Sequence, residues 1–112
     1  MSQYSVSQTF VYDKMSIYTR EGKGYKMPPK DTNIVWEAIF NKDNHTIIVR
    51  DTINKAYSEF NIIANEVKDN HYTYETTSSY KDTCIIDVFS DKDFYILDLI
   101  TPSKLIRYSK KK

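Results

Sequence analysis

The side chains able to do chemistry are few and scattered. Two histidines (His45 and His71), one cysteine (Cys84) and fifteen carboxylates make up the reactive inventory of the 112-residue chain. Neither histidine has a second ligand at a metal-binding spacing, and a structural zinc site normally needs four ligands. Asp87, Asp91 and Asp93 are spaced faintly like a calcium loop, but the required glycine and terminal glutamate are missing. A polar hairpin turn accounts for them. Gly22-Lys23-Gly24 has neither the length nor the strand-to-helix setting of a phosphate cradle, and no serine stands in a nucleophile elbow. Glu37, Glu59, Glu66 and Glu75 supply carboxylates, and either histidine can pair with Glu37 or Glu75 only if the fold brings them together. This inventory assigns no catalytic residue, metal ligand or cofactor, and points to a protein that is not an enzyme.

Binding has more material. Ten tyrosines are present, several clustered as in Tyr72 and Tyr74. Tyrosine combines an apolar ring with a polar tip and is favoured at interfaces. Trp36, Phe40, Tyr72, Tyr74, Tyr95 and Leu97 are the candidate ligand or interface residues, because each lies on a strand face rich in large apolar side chains. A second set interleaves basic and aromatic residues: Lys14, Arg20, Lys23, Lys26, Lys104 and Arg107, with Tyr12, Tyr18 and Tyr25 between them. Phosphates would meet the charge and exposed bases the rings. Charge is unevenly distributed. Residues 1–30 hold five basic and two acidic side chains, residues 61–100 three basic and eight acidic, and residues 101–112 five basic and none acidic.

Strands must position these residues. Val6 to Tyr12 alternates, Asp13-Lys14 reads as a turn, and Met15, Ile17 and Thr19 form one face of a second short strand. Residues 20–30 read as a loop, with glycines and two prolines opposing regular structure. Ile34 to Phe40 places Trp36, Ala38 and Phe40 together, and after a turn at 41–44 the strand from Thr46 to Arg50 completes a hairpin. His71 to Thr77, Thr83 to Phe89, Phe94 to Ile100 and Lys104 to Tyr108 are further strands. Residues 52–68 are ambiguous. Ile53, Ala56, Tyr57, Phe60, Ile63, Ala64 and Val67 make a helical stripe, with Asp51 or Thr52 available as a cap. Yet Phe60, Ile62 and Ala64 also alternate as in a strand. Both readings stand.

The expected architecture is one domain over residues 1–112, mainly β: a small antiparallel barrel or curled meander of about six to eight strands. A helix at 52–68 would make it α+β. Residues 1–4 and 109–112 are expected to be flexible ends. Several strands are apolar on both faces: Ile85 and Phe89 oppose Cys84, Ile86 and Val88, and Phe94, Ile96 and Ile100 oppose Tyr95, Leu97 and Leu99. A second sheet face of this kind requires cover from a helix, another sheet or a partner.

A lone Cys84 in TCIIDVF behaves as a small hydrophobe, excludes an internal disulfide and suits the reducing cytoplasm. The chain as given starts without the basic and apolar pattern of a signal peptide, and no window is apolar enough for a membrane span. The leading expectation is a non-enzymatic binding or structural protein that self-associates, as a homodimer or with a protein partner. A carrier of a small apolar ligand is the alternative. The closing segment Lys104-Leu105-Ile106-Arg107-Tyr108 resembles the end of small lipocalin-like barrels in general architecture, without the glycine-X-tryptophan signature near the N-terminus. A single-stranded nucleic-acid module is the third reading.

Overall fold

The computed structural model describes residues 7–26, 32–53, 55–78 and 82–112. They form nine strands: β1 (Ser7–Glu21), β2 (Gly24–Lys26), β3 (Thr32–Asn41), β4 (Thr46–Asp51), β5 (Tyr57–Lys68), β6 (His71–Ser78), β7 (Thr83–Ser90), β8 (Phe94–Ile100) and β9 (Lys104–Lys111). All pair antiparallel with a neighbour, and β9 returns to pair with β1. Eight strands therefore close an up-and-down barrel, which removes most of the exposed sheet edge. The ninth, β2, pairs only with Thr19–Glu21 and prolongs β1 as a hairpin beyond the wall.

Asp13-Lys14 is not a turn. β1 runs straight through, pairing with β3 from Ser7 to Met15 and with β9 from Lys14 to Thr19. The register slips between Tyr12 and Lys14, where Asp13 alone faces Ile34 and Val35. This bulge on β3 bends the sheet where β1 passes from one neighbour to the other, and that bend closes the barrel. The loop expected over 20–30 holds strand β2, turned by Gly22 at φ +59°, a backbone region glycine enters freely. Residues 27–30 of that loop, and residues 1–4, lie outside the described residues.

Among the described residues of 52–68 no helix forms. Thr52 and Ile53 turn, held by Asp51 Oδ1 accepting from the Ile53 amide, and β5 follows. A bulge explains the helical look of the sequence. Ile62 faces Thr76 and Ala64 faces Glu75, leaving Ile63 as an extra residue. Phe60 and Ile62 before the bulge, and Asn65 and Val67 after it, consequently share the face of Ile47, Tyr74 and Tyr72. Spacing of 60, 62, 65 and 67 is two runs of period two with one odd step. That odd step puts Phe60 and Val67, seven residues apart as over two helical turns, on one face, which an unbroken strand would not do.

The expected turns are present with side-chain support. Asn41 Oδ1 accepts from the amides of Asp43 and Asn44, and Asp91 Oδ1 from those of Asp93 and Phe94. Asp69 and Asn70, both left-handed, form a two-residue hairpin turn of the kind that matches strand twist. The last strand extends past Tyr108. β9 continues to Lys111, which faces Phe94, and the Lys112 amide donates to the Asp93 carbonyl.

The interior is packed by Tyr12, Ala38, Phe40, Ile47, Val49, Phe60, Cys84, Ile86, Leu97, Leu99 and Tyr108. Ile47, Ile86 and Leu97 are 0% exposed and mark its centre. Outside, β7 to β9 carry the second apolar face seen in the sequence. Ile85, Ile100 and Leu105 lie side by side in one cross-strand row, and Phe89 and Ile96 in another. Between them runs a charged row, Asp87, Asp98 and Arg107. No helix covers it among the described residues, and none there is long and apolar enough to cross a membrane.

Candidate functional site at the barrel mouth

The described residues leave one end of the barrel unfilled. A cavity of about 590 Å³ lies among the start of β1, the end of β3, the upper part of β5, and the β6–β7–β8 wall. Small-molecule sites usually span about 300–1,000 Å³ and are walled by apolar and aromatic groups with a few polar ones. Here the walls are the rings of Phe10, Phe40, Tyr72, Tyr74 and Tyr95, with Val67 and Val88. Gln8, Lys42, Asn65, Asn70 and Ser90 add polar groups. The floor rises from the sealed core: Tyr12 and Phe40 belong to both.

Alternation positions these rings. Tyr72 and Tyr74 lie on one face of β6, opposite Val88 and Ile86 of β7. Phe10 stands one cross-strand step from Ala38 and meets Phe40 edge to face, with ring centres 5.5 Å apart and planes at 86°. Phe40 also approaches Tyr74 at 5.4 Å. Offset and edge-on contacts of this kind stabilise aromatic clusters beyond their buried area. They brace the inner wall, while the outer rings remain accessible. Tyr95 is 53% exposed, and the Lys112 ammonium sits 5.3 Å from its ring centre. Burial, with the neighbouring Tyr72 adding to it, raises the Tyr74 pKa and keeps its hydroxyl protonated as a hydrogen-bond donor.

Four of the six ligand or interface candidates, Phe40, Tyr72, Tyr74 and Tyr95, line this cavity. The other two lie elsewhere. Leu97 is in the sealed core, and Trp36 packs on Tyr108 at 5.4 Å, outside the cavity lining. Phe10, Val67, Asn65 and Asn70 went unselected in the sequence. Phe10 carried a signal, since it shares a face with Gln8 and Tyr12. The β5 residues did not, because the bulge hides which way they point.

The basic candidates separate. Arg20, Lys23, Lys26 and Lys104 gather at the far end, on the β1–β2 hairpin and the adjoining β8–β9 turn. Lys26 and Lys104 both face Thr19, from opposite sides, and the Arg20 amide donates to the Ser103 carbonyl. Lys110 and Lys111 end β9 at the cavity end instead, and Lys112 follows them. Lys14 faces Ser109 midway along the wall. Arg107 is engaged: its Nε and Nη2 each donate to Asp98 at 2.8 Å, and its guanidinium lies 5.9 Å from the Phe89 ring centre.

Around Arg107 lies a polar cluster on the outer wall. Asp87 and Asp98 face each other directly across β7 and β8, two like charges in one pair. Arg107 holds Asp98, while Asp87 accepts from Thr73 Oγ1 at 3.1 Å and lies 3.3 Å from His71 Nδ1. The His71 ring stacks on Phe89, centres 4.4 Å apart. Each carboxylate thus has its own partner, and the cluster reads as a cross-strand clamp. Among the described residues no group of three or more histidine, cysteine or acidic side chains is arranged to hold a metal ion. Cys84 is buried, and burial with the charge of Asp82 raises its thiol pKa, which makes it a poor nucleophile.

Comparison with known proteins finds no matching family model, no matching curated protein and no matching solved structure.

Proposed function

We propose that this chain is a non-catalytic binding protein whose barrel mouth takes a ligand with an apolar, ring-bearing or branched part. The aromatic cavity carries the reading. A chain this short can fill a barrel completely with its own side chains, yet the described residues leave about 590 Å³ among aromatic rings directly above a sealed core, three of those rings (Phe10, Tyr72 and Tyr95) being exposed. Rings left facing solvent lose the burial that would stabilise them, by about 25 cal/mol for each Å² kept wet. A ligand recovers that area. Polar side chains at the rim fix its orientation and satisfy the polar part it keeps near water. No step of this reading needs a nucleophile or a titrating base, in keeping with the inert Cys84. The buried thiol also suits a reducing cytoplasm as the working compartment.

Self-association is a second reading with its own observation. Phe89, Ile85, Ile100 and Leu105 lie half-buried on the outer wall of β7 to β9, beside the Asp98–Arg107 pair. Such a patch of apolar residues rimmed by charge is the composition of a protein interface. Nucleic-acid binding has less support, because the basic residues are divided between the two ends of the barrel.

Two substitutions test the mouth. Tyr95→Ala should leave thermal stability nearly unchanged, because the ring is half exposed, and should weaken uptake of an apolar dye such as anilinonaphthalene sulfonate several-fold. Leu97→Ala should do the reverse in stability, costing roughly 2–5 kcal/mol as a cavity opens in the sealed core. Dye fluorescence unaffected by Tyr95→Ala and by Tyr72→Ala would remove the cavity as the binding site.

A further inference from the structure

The cavity has an opening that a complete barrel mouth lacks. Asn65 and Val67 point inward, and Glu66 between them points outward, yet all three line the cavity. This is possible because β4 begins at Thr46, opposite Asn61, and the last main-chain bond on that side runs from the Ile62 amide to the His45 carbonyl. From Ile63 to Lys68, β5 has β6 on one flank and no strand on the other among the described residues. The cavity wraps around this free edge. Its apolar side chains are uncovered too: Ile63 is 60% and Val67 64% exposed.

A strand edge offers alternate N–H and C=O groups in a row, and an extended chain can pair with them while every second side chain enters a neighbouring pocket. We propose that the mouth binds an extended peptide segment of a partner protein, added as a strand along Ile63–Lys68, with apolar side chains entering the rings of Phe10, Phe40, Tyr72, Tyr74 and Tyr95. The inference rests on the mouth being a binding site and names its ligand class. Three observations favour a peptide. The free edge spans six residues, about 20 Å, the length of an ordinary strand. Inward-facing Asn65 and Val67 share the cavity with the rings, so the period of a paired strand delivers side chains into it. Glu66 and Lys68 alternate with them on the outer flank, and complement opposite charges two residues apart on the outward side of the peptide.

Other occupants fit less well. A small molecule would satisfy the rings but leave the main chain of the edge without partners. A second copy pairing β5 against β5 antiparallel would set Glu66 against Lys68 only in the register centred on Val67. That register runs the pairing into Asp69 and Asn70, whose left-handed backbone turns away.

The test is amide-resolved NMR of the full chain with a pool of blocked hexapeptides. Threonine alternates in them with Phe, Tyr, Leu, Ile or Val, and a lysine occupies one outward position. Two matched pools are N-methylated on one or the other set of alternate residues. Anilinonaphthalene sulfonate serves as the small apolar probe. Shifts and slowed hydrogen exchange over Ile63–Lys68 are expected with the plain pool, with displacement of the dye. One methylated pool should bind at least about tenfold more weakly, the loss expected for removing main-chain hydrogen bonds. Plain and both methylated pools binding alike would overturn the edge pairing. Dye binding without peptide binding would overturn the peptide and leave the cavity reading standing, whereas absence of both would end the two together. Protection of Ile63–Lys68 that grows with protein concentration and no peptide would hand the edge to a second copy.

Discussion

At the residue scale, two tyrosines and one ion pair set measurable limits on stability. Tyr12 and Tyr108 are core residues, and burial raises both phenol pKa values above the ordinary 10, Tyr108 to about 12 and Tyr12 further. Since the folded values are raised, the neutral phenols' contribution is fully present below the unfolded pKa of about 10 and is lost as pH rises through the folded values. Far-UV circular dichroism and tyrosinate absorbance followed together should therefore show loss of the barrel coupled to ionisation above that pH. Tyr108→Phe should move the transition to more alkaline pH. Arg107→Ala leaves Asp98, 5% exposed, opposite Asp87 with no counter-charge. Arg107 is itself partly exposed, so the expected cost is roughly 2 kcal/mol, below that of a fully buried pair. Asp98→Asn in that background should recover part of it, as read by urea midpoint. No recovery would mean that the loss comes from guanidinium packing on Phe89 and not from charge.

At the element scale, β5 decides most of what is unusual here. Its bulge keeps Phe60, Ile62, Asn65 and Val67 all inward although the chain inserts one extra residue between them. Deleting Ile63 should thus retain the faces: cross-strand contacts of Asn65 with Tyr74 and of Val67 with Tyr72 persist by nuclear Overhauser effects, and the protein stays folded. Deleting Glu66 instead should break the alternation, sending either Asn65 or Val67 outward and lowering dye binding at the mouth. The same element shows where sequence reading stopped. Alternating strands were legible wherever the period of two was unbroken, as in β3 from Trp36 to Phe40 and in β6, β7 and β8, and their inward faces matched the structure. A bulge is one residue long and leaves no compositional mark, so β5 looked equally helical. In β1, Asp13 looked like a turn residue, because the compensating extra residue sits on β3, a different part of the chain.

At the scale of the whole molecule, closure is the governing fact. Every wall strand has two neighbours over at least part of its length, and the seam of β1 on β9 is paired continuously from Lys14 to Thr19. Removing any wall strand opens two ladders at once, so unfolding should be a single cooperative transition. Tyrosine fluorescence and far-UV circular dichroism should give coincident urea curves, and the spectrum should lack the helical double minimum. Separate transitions would mean that part of the wall folds alone. Closure also separates two surfaces: the aromatic mouth lies at one end, and the β1–β2 hairpin with Arg20, Lys23, Lys26 and Lys104 at the other.

The sequence by itself determined the strand-rich character, the meander of antiparallel neighbours, most inward faces, and four rings of the mouth, Phe40, Tyr72, Tyr74 and Tyr95. These follow from local alternation and turn chemistry, which are written in neighbouring residues. Tertiary structure alone decided that the sheet closes, that Trp36 and Leu97 serve the core, that the basic residues part company, and that β5 outruns β4 to leave a free edge beside the cavity. Each depends on register between strands far apart in the chain. Register is an energy of pairing over the whole ring, and no stretch of sequence carries it alone.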